Sequence, residues 1–261
     1  MDISLENKFA VVCGSTQGIG LAIAKELAHA GATCILIARN NAALKEAVYA
    51  LPMAYNQQHS YMVADFNDSN TVRLAVEQIA AKHTVHILVN NTGGPAAGPI
   101  TDATDMAFIH AFNQHLICNH ILVQAFSKGM KEAGYGRVIN IISTSVKIPL
   151  HNLGVSNTIR GAVASWSKTM ANELGRFGIT VNNILPGATD TQRLKNLVQL
   201  TAEKTQNSSD AIAKKMQAEI PAGRFGTAAE IANVAAFLAS PAAAYVNGVS
   251  IPVDGGRTGS I

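Results

Sequence analysis

Short apolar runs rich in β-branched residues alternate with helix-length segments along the whole chain. The runs are FAVVC (9–13), TCILIA (33–38), YMVA (61–64), HILVN (86–90), RVINII (137–142), ITVNNIL (179–185) and VSIPV (249–253). Continuous apolar strands separated by helices are typical of a parallel sheet that is covered on both faces. Because crossovers between parallel strands are right-handed, the pattern predicts one doubly wound α/β domain over residues 1–261, with about seven strands.

Two helical segments of this pattern have features of their own. The helix after the first strand is predicted over residues 19–30 and ends at Gly31, which suits a left-handed cap. Between the sixth and seventh strands, the letters TQNSSD interrupt a weakly helical stretch at 196–223. Its place beyond the carboxyl end of a strand favours a helical substrate cover at about 190–223, although an exposed helix pair without that role fits the letters equally.

A glycine-rich turn, CGSTQGIG, follows the first strand directly and opens the first helix. Glycines at this place let the backbone turn tightly and approach a pyrophosphate, which the first N–H groups of the helix then meet. Strand, glycine turn and apolar helix together predict a dinucleotide site in a Rossmann-type fold. The predicted cofactor-binding residues of this turn are Gly14, Ser15, Thr16, Gln17, Gly18, Ile19 and Gly20.

Composition narrows the function classes further. Charged residues make up 14% of the chain and hydrophobic residues 48%, and because charged residues usually make up about 25%, partner subunits are expected to cover part of the surface. The net charge of +3, without a Lys/Arg-rich block, gives little support to nucleic-acid or membrane binding. Three cysteines far apart and no apolar run of about 18 residues suit a cytoplasmic protein with reduced thiols.

The chain resembles the short-chain dehydrogenase/reductase family, especially its ketoacyl-carrier-protein-reductase-like members, over nearly its whole length. The similar segments are VNNTGG (89–94), GRVINIIS (136–143), VNNILPGATDT (181–191), AGRFGTAAEIANVAAFLAS (222–240) and VNGVSIPVDGG (246–256). The resemblance implies a homotetramer, with subunits paired through helices at about 105–131 and 156–174. It also implies that the cofactor contacts Asn91, Gly93, Pro186, Gly187, Thr189 and Thr191.

The end of the second strand predicts which nicotinamide cofactor binds. NAD-binding relatives have an acidic residue there that accepts hydrogen bonds from the ribose hydroxyls. This chain has Ala38, followed by Arg39 and Asn40, which leaves room and positive charge for a 2′-phosphate. NADP(H) is therefore predicted over NAD(H), with an exposed Arg39 of no ligand role as the alternative. Asp65 matches the family position beside the adenine, and it also suits a cap on the following helix.

The catalytic residues of the family are altered in this chain. In the family, a serine orients the carbonyl, a tyrosine protonates it, a lysine lowers the tyrosine's pKa and holds the ribose, and an asparagine positions a water. Ser143 matches the serine, but the usual interval places Ser156 at the tyrosine and Arg160 at the lysine. His115 falls at the asparagine, or Gln114 if the helix is shifted by one residue.

A replacement for the missing acid must therefore come from elsewhere. The Ser156 hydroxyl is too weak an acid and too short, and an Arg160 guanidinium holds ribose hydroxyls without releasing its proton. His115 and His151 are the candidate proton donors, because histidine ordinarily titrates near pH 6.5, and each also suits a purely packed or hydrogen-bonded role. No metal site is predicted, since five-residue steps scatter His110, His115 and His120 around a helix.

Two functions of different classes fit this pattern. The first is an NADP-dependent oxidoreductase acting on a small carbonyl or alcohol substrate at an atypical catalytic site. The second is a catalytically inactive NADP-binding scaffold or sensor. Retention of Ser143, the glycine turn and the segment 181–191 favours the oxidoreductase, whereas loss of the tyrosine and lysine favours the scaffold.

Overall fold

One parallel sheet of seven strands organises the chain in a computed structural model that describes residues 1–260. The strands are β1 (Phe9–Cys13), β2 (Thr33–Ala38), β3 (Ser60–Val63), β4 (Ile87–Asn90), β5 (Gly136–Ile141), β6 (Ile179–Pro186) and β7 (Ser250–Val253). Their order in the sheet is β3-β2-β1-β4-β5-β6-β7, with every neighbouring pair parallel. The predicted doubly wound α/β fold is therefore confirmed, and strand ends differ from the prediction by at most one residue.

Helices cover both faces of this sheet. They are α1 (Gly18–His29), α2 (Asn41–Tyr49), α3 (Ser69–Ala80), α4 (Asp105–Phe112), α5 (Cys118–Ala133), α6 (Gly154–Leu174), α7 (Gln192–Thr205), α8 (Ser209–Ala218) and α9 (Ala228–Ala239). A single π-helical turn, Asn113–Ile117, joins α4 to α5. Among residues 1–260, no helix combines the length and apolar character needed to cross a membrane.

Alternating strand residues build the two halves of the core. In β1, Ala10 and Val12 pack with α1 and α9 on one face, whereas Val11 and Cys13 pack with α3 and α5 on the other. All four side chains are buried. Because successive side chains of a strand point to opposite faces, both faces must be apolar, which explains the continuous apolar runs in the sequence.

A line of buried polar side chains crosses the middle of the sheet. Asn90 of β4 donates through Nδ2 to Asn140 Oδ1 at 2.8 Å, and Asn140 donates through Nδ2 to Asn183 Oδ1 at 3.0 Å. Asn183 in turn donates to the hydroxyl of Ser250 in β7 at 3.0 Å. Buried amides cost free energy unless they are paired, so this chain of bonds fixes the relative register of four strands.

Helix ends follow the predicted turn chemistry. Gly31 follows α1 with a φ of +104°, a conformation that favours glycine, as the sequence predicts. In the segment predicted as a substrate cover, α7 ends at the left-handed Gln206, and Ser208 caps α8 by accepting from the Ala211 N–H. Within TQNSSD, residues 206–208 therefore form the turn between α7 and α8. The two helices pack on each other through a small apolar cluster.

Candidate active site

The candidate site is the crevice at the point where the strand order reverses, between the carboxyl ends of β1 and β4. In doubly wound sheets a ligand binds at this point, because the two following connections leave toward opposite faces. The loops after β1, β4, β5 and β6 all begin at this edge of the sheet. They carry the glycine turn and two of the five predicted catalytic residues, Ser143 and His151.

The glycine turn after β1 is shaped for close approach of a ligand. Gly14 and Gly18 have φ values of +58° and +56°, and a Cβ on Gly20 would lie 2.2 Å from the Gly14 carbonyl oxygen. Gln17, the N-cap of α1, makes no side-chain cap bond, so the first N–H groups of the helix remain available. Ser15 is buried, and its Oγ has no partner among the described residues. These features fit the pyrophosphate of a nicotinamide dinucleotide.

Two neighbouring loops hold this turn in place. Asn91 Nδ2 donates to the carbonyl oxygens of Cys13 at 3.2 Å and Gly14 at 3.1 Å, so its side chain supports the turn. A Cβ built on Gly18 would lie 3.4 Å from Thr191 Cγ2. The loop between β6 and α7 therefore closes over the glycine turn.

The other predicted cofactor residues lie along the same edge but contribute mainly backbone. Pro186 ends β6, and the Gly187 N–H donates to the Val253 carbonyl at 3.0 Å. Thr189 is buried and donates to the Gly187 carbonyl oxygen at 3.1 Å. Of the remaining predicted cofactor residues, Thr16 is half-buried, Ile19 packs on the core, and Gly93 is exposed.

Arg39 and Asn40 stand at the carboxyl end of β2, beside the glycine turn. The Gly14 N–H donates to the Ile37 carbonyl oxygen at 2.8 Å, which ties the turn to this strand. Arg39 is exposed and forms no salt bridge with a carboxylate of residues 1–260. Asn40 caps α2 by accepting from the Ala43 N–H at 3.1 Å. A guanidinium is thus free at the place where an adenosine 2′-phosphate is expected.

The alternative role of Asp65 as a helix cap is wrong. Its Oδ1 accepts from the backbone N–H of Asn67 at 3.0 Å and from Asn67 Nδ2 at 2.9 Å, which makes a local turn before the helix. Asp68 is the residue that caps α3, by accepting from the Asn70 N–H. The contact of Asp65 with an adenine stays a prediction.

An open groove lies after β5 and has His151 on its wall, whereas Ser143 and Ser156 lie next to lining residues and are not part of the wall. Its volume is about 570 Å³, and its walls include Ile100, Ser145, His151, Gly154 and Asn157. Ser143 Oγ accepts from the Ser145 N–H at 3.1 Å. Ser156 is half-buried in the first turn of α6 and makes no side-chain hydrogen bond to any described residue. His151 is exposed on the groove wall, so it lies apart from the buried groups of the site.

His115, rather than Gln114, is directed into the site by the π-helical turn. His115 is only 2% exposed, and its Nδ1 lies 2.6 Å from the Thr92 hydroxyl, a hydrogen bond in which either group can donate. Its Nε2 has no partner among residues 1–260. Burial, with added repulsion from the charges of Arg160 and Arg193, lowers the pKa of His115 to about 3. At neutral pH the ring is therefore neutral, so it holds no additional proton that it could donate to a substrate.

Arg160 is buried beneath the end of β5. Its Nη1 donates to the Ile141 carbonyl oxygen at 2.8 Å, and its Nε has no partner in the described chain. Burial and the nearby charge of Arg193 lower its pKa to about 10, which still leaves a cation at neutral pH. A fixed positive charge thus lies at the position predicted to correspond to the family's lysine.

Two residues of this site, Thr92 and Arg193, are absent from the sequence-based prediction. Thr92 replaces the alanine of the Asn-Asn-Ala-Gly element, and this departure is the one sequence signal that could have singled it out. Arg193 comes from α7, and its Nη1 donates to the Gly94 carbonyl oxygen at 3.3 Å. The structure therefore brings together Thr92, His115, Arg160 and Arg193 from four separate segments.

Comparison with known proteins gives consistent matches over the whole chain. A family model described as enoyl-(acyl carrier protein) reductase matches residues 14–258. A 3-oxoacyl-(acyl-carrier-protein) reductase of Pseudomonas aeruginosa is 33% identical over 258 residues, covering 97% of this chain and 98% of the relative. The NADPH-dependent reductase BacG of Bacillus subtilis is 30% identical over 260 residues, covering 98% and 100%. The L-sorbose reductase of Gluconobacter frateurii, solved with NADPH and L-sorbose, matches with a TM-score of 0.94 at 29% identity, covering 100% of both chains.

Proposed function

The chain belongs to the short-chain dehydrogenase/reductase family, and from this membership and the site geometry we propose that it is an NADP(H)-dependent oxidoreductase. Its substrate is a small carbonyl compound or alcohol, and its catalytic site is atypical because Ser156 and Arg160 stand where the family has tyrosine and lysine. The predicted preference for NADP(H) over NAD(H) agrees with relatives that use or bind NADPH. When bound, the reduced cofactor supplies the hydride.

The observation that carries this proposal is a set of buried polar atoms without protein partners at one edge of the sheet. Six such side-chain atoms occur in residues 1–260, and four of them lie around the crevice: Ser15 Oγ, His115 Nε2, Ser145 Oγ and Arg160 Nε. An unpaired buried polar group costs about 1–3 kcal/mol. Their concentration here supports a site built to hold ligand or water rather than a packed core.

Each residue of the site has a role in the proposed reaction. Ser143 orients the carbonyl oxygen, and Arg160 holds ribose hydroxyls and stabilises negative charge near the end of β5. Thr92 and the neutral His115 form a path along which a proton passes, since a neutral imidazole accepts at one nitrogen as it releases at the other. Water, rather than a protonated histidine, is then the source of the proton.

The inactive NADP-binding scaffold remains the second candidate, and the absence of a phenol and an ammonium at positions 156 and 160 favours it. The two functions are separated by incubating the protein with NADPH and a panel of ketones, aldehydes and oxo acids. Formation of an alcohol with stoichiometric NADPH oxidation supports the oxidoreductase. Tight NADPH binding without product supports the scaffold.

The cofactor preference yields a testable change at Arg39. Arg39→Ala is expected to lower NADPH affinity about tenfold or more and to leave NADH affinity nearly unchanged, because a charged contact to the 2′-phosphate contributes roughly 1.5–3 kcal/mol. Titration of both cofactors by fluorescence measures the effect. Lys45→Ala, an exposed cation on α2, is the matched control. Equal affinities of the unmodified protein for NADPH and NADH would refute the assignment.

We further propose that the protein assembles as a homo-oligomer, a tetramer in the family's manner. Met106, Ile109 and Phe112 are 53%, 50% and 40% exposed and follow each other at three-residue steps along α4. Such spacing places them on one apolar face of the helix, which a second subunit would cover. Multi-angle light scattering at micromolar concentration is expected to report the tetramer, and a monomer alone would contradict it.

A further inference from the structure

The cover helix α7 brings a second cation to the catalytic side of the crevice. Arg193 lies in the first turn of α7 and donates to the carbonyl oxygen of Gly94, in the loop after β4. The loop admits the side chain because residue 94 is glycine, since a Cβ there would stand 2.7 Å from Arg193 Nη2. The guanidinium is thus held against the loop that carries Thr92.

This cation has no anionic partner in the protein. Neither Arg193 nor Arg160 forms a salt bridge with any carboxylate of the described chain. Asp190, the nearest acid in sequence, lies 3.6 Å from Lys195 Nζ instead. Burial is the main cause that lowers the pKa values of His115 and Arg160, and the charge of Arg193 adds to it in both cases, which agrees with the three groups sharing one region. Two neighbouring cations without a carboxylate partner favour the binding of an anion.

Thr191 and Arg193, two residues apart, contact different segments of the site. Thr191 packs over Gly18 of the glycine turn. Arg193 donates to the carbonyl oxygen of Gly94, in the loop whose Thr92 contacts His115. An anion bound by Arg193 is therefore expected near Thr92 and His115.

We propose that Arg193 is a substrate-binding residue that recognises a carboxylate, so that the substrate is an oxo acid or the corresponding hydroxy acid. The reaction named here rests on the proposed function, whereas the carboxylate preference rests on Arg193 and Gly94. A guanidinium presents two parallel N–H donors that match the two oxygens of a carboxylate. A phosphate also fits these donors, so the test includes one.

The test compares acids with their neutral amides on the protein saturated with NADPH. Pyruvate, acetoacetate and levulinate are each measured beside the primary amide, with dihydroxyacetone phosphate as the phosphate, for both binding and NADPH oxidation. At least one acid is expected to bind about tenfold or more tightly than its amide. Arg193→Met should remove this preference, and Lys195→Met on the same helix should keep it. Gly94→Ala, which displaces the guanidinium without removing its charge, should weaken it.

The outcomes distinguish this inference from the proposed function. Arg193-dependent binding of an acid without NADPH oxidation would uphold the carboxylate site and reject the oxidoreductase. Equal binding of every acid and its amide, or a preference that survives Arg193→Met, would overturn the inference. It would also be overturned if Arg193→Met weakened NADPH as much as the acid, or if the phosphate bound more tightly than every carboxylate.

Discussion

The double substitution Ser156→Tyr and Arg160→Lys is expected to raise the rate of NADPH-dependent reduction of a simple neutral ketone by about 10² or more. General acid catalysis contributes roughly 10²–10⁴ in rate, and the unmodified site has no phenol to provide it. Ser156 is half-buried in the first turn of α6, and Gly154 and Asn157 of the same turn line the open groove of about 570 Å³. A ring at position 156 is accommodated if it extends from this turn into the groove.

A matched variant isolates the acid from the added bulk. Ser156→Phe with Arg160→Lys introduces the same ring without the hydroxyl and should stay at the rate of the unmodified protein. Steady-state rates with cyclohexanone at saturating NADPH measure the difference. A tyrosine variant that is folded, binds NADPH and is no faster than the phenylalanine variant would show that the missing acid does not limit the reaction.

The second large effect is expected at the glycine turn. Gly20→Ala should weaken NADPH binding about 10- to 100-fold, since overpacking a tight site costs about 1–3 kcal/mol. The added Cβ would lie 2.2 Å from the Gly14 carbonyl oxygen and 2.7 Å from Asn91 Nδ2, and a backbone atom cannot move aside cheaply. The turn would open, and the N–H groups that face the pyrophosphate would lose their alignment.

Gly161→Ala is the control for this change. Gly161 lies within α6, where a Cβ would meet no atom within 4 Å, so alanine should leave NADPH affinity unchanged. Isothermal titration gives the affinities, and calorimetric unfolding without cofactor reports whether each variant remains folded. Unchanged NADPH affinity in a folded Gly20→Ala variant would mean that the turn does not hold the cofactor.

Local patterns in the sequence were sufficient for the fold and for the cofactor turn. Apolar runs identified all seven strands, since the five inner strands are largely buried on both faces and the edge strands β3 and β7 are still partly apolar. The glycine turn was evident because Gly14, Gly18 and Gly20 lie within one short segment. The π-helical turn at 113–117 leaves no such pattern. It depends on how α4 and α5 pack around the site, and it decides that His115 rather than Gln114 points inward.

The rest of the site depends on contacts between distant segments. Thr92 meets His115 across 23 positions, and Arg193 meets Gly94 across 99, so no local spacing predicts either pair. The chemistry of His115 was also hidden, because its pKa is lowered by burial and by two arginines that the fold brings near. An isolated histidine titrates near pH 6.5 and looks like a proton donor, whereas this one is neutral.

The most direct test of the central claim is a single-turnover measurement with NADPH bound to excess protein. NADPH absorbance at 340 nm is followed after mixing with the best compound of the carbonyl panel, for the unmodified protein and for Ser143→Ala. We expect NADPH to be oxidised as alcohol appears, and we expect Ser143→Ala to slow this step about tenfold or more while NADPH affinity is kept. Tight NADPH binding with no oxidation by any compound, or oxidation that is unaffected by Ser143→Ala, would contradict the central claim.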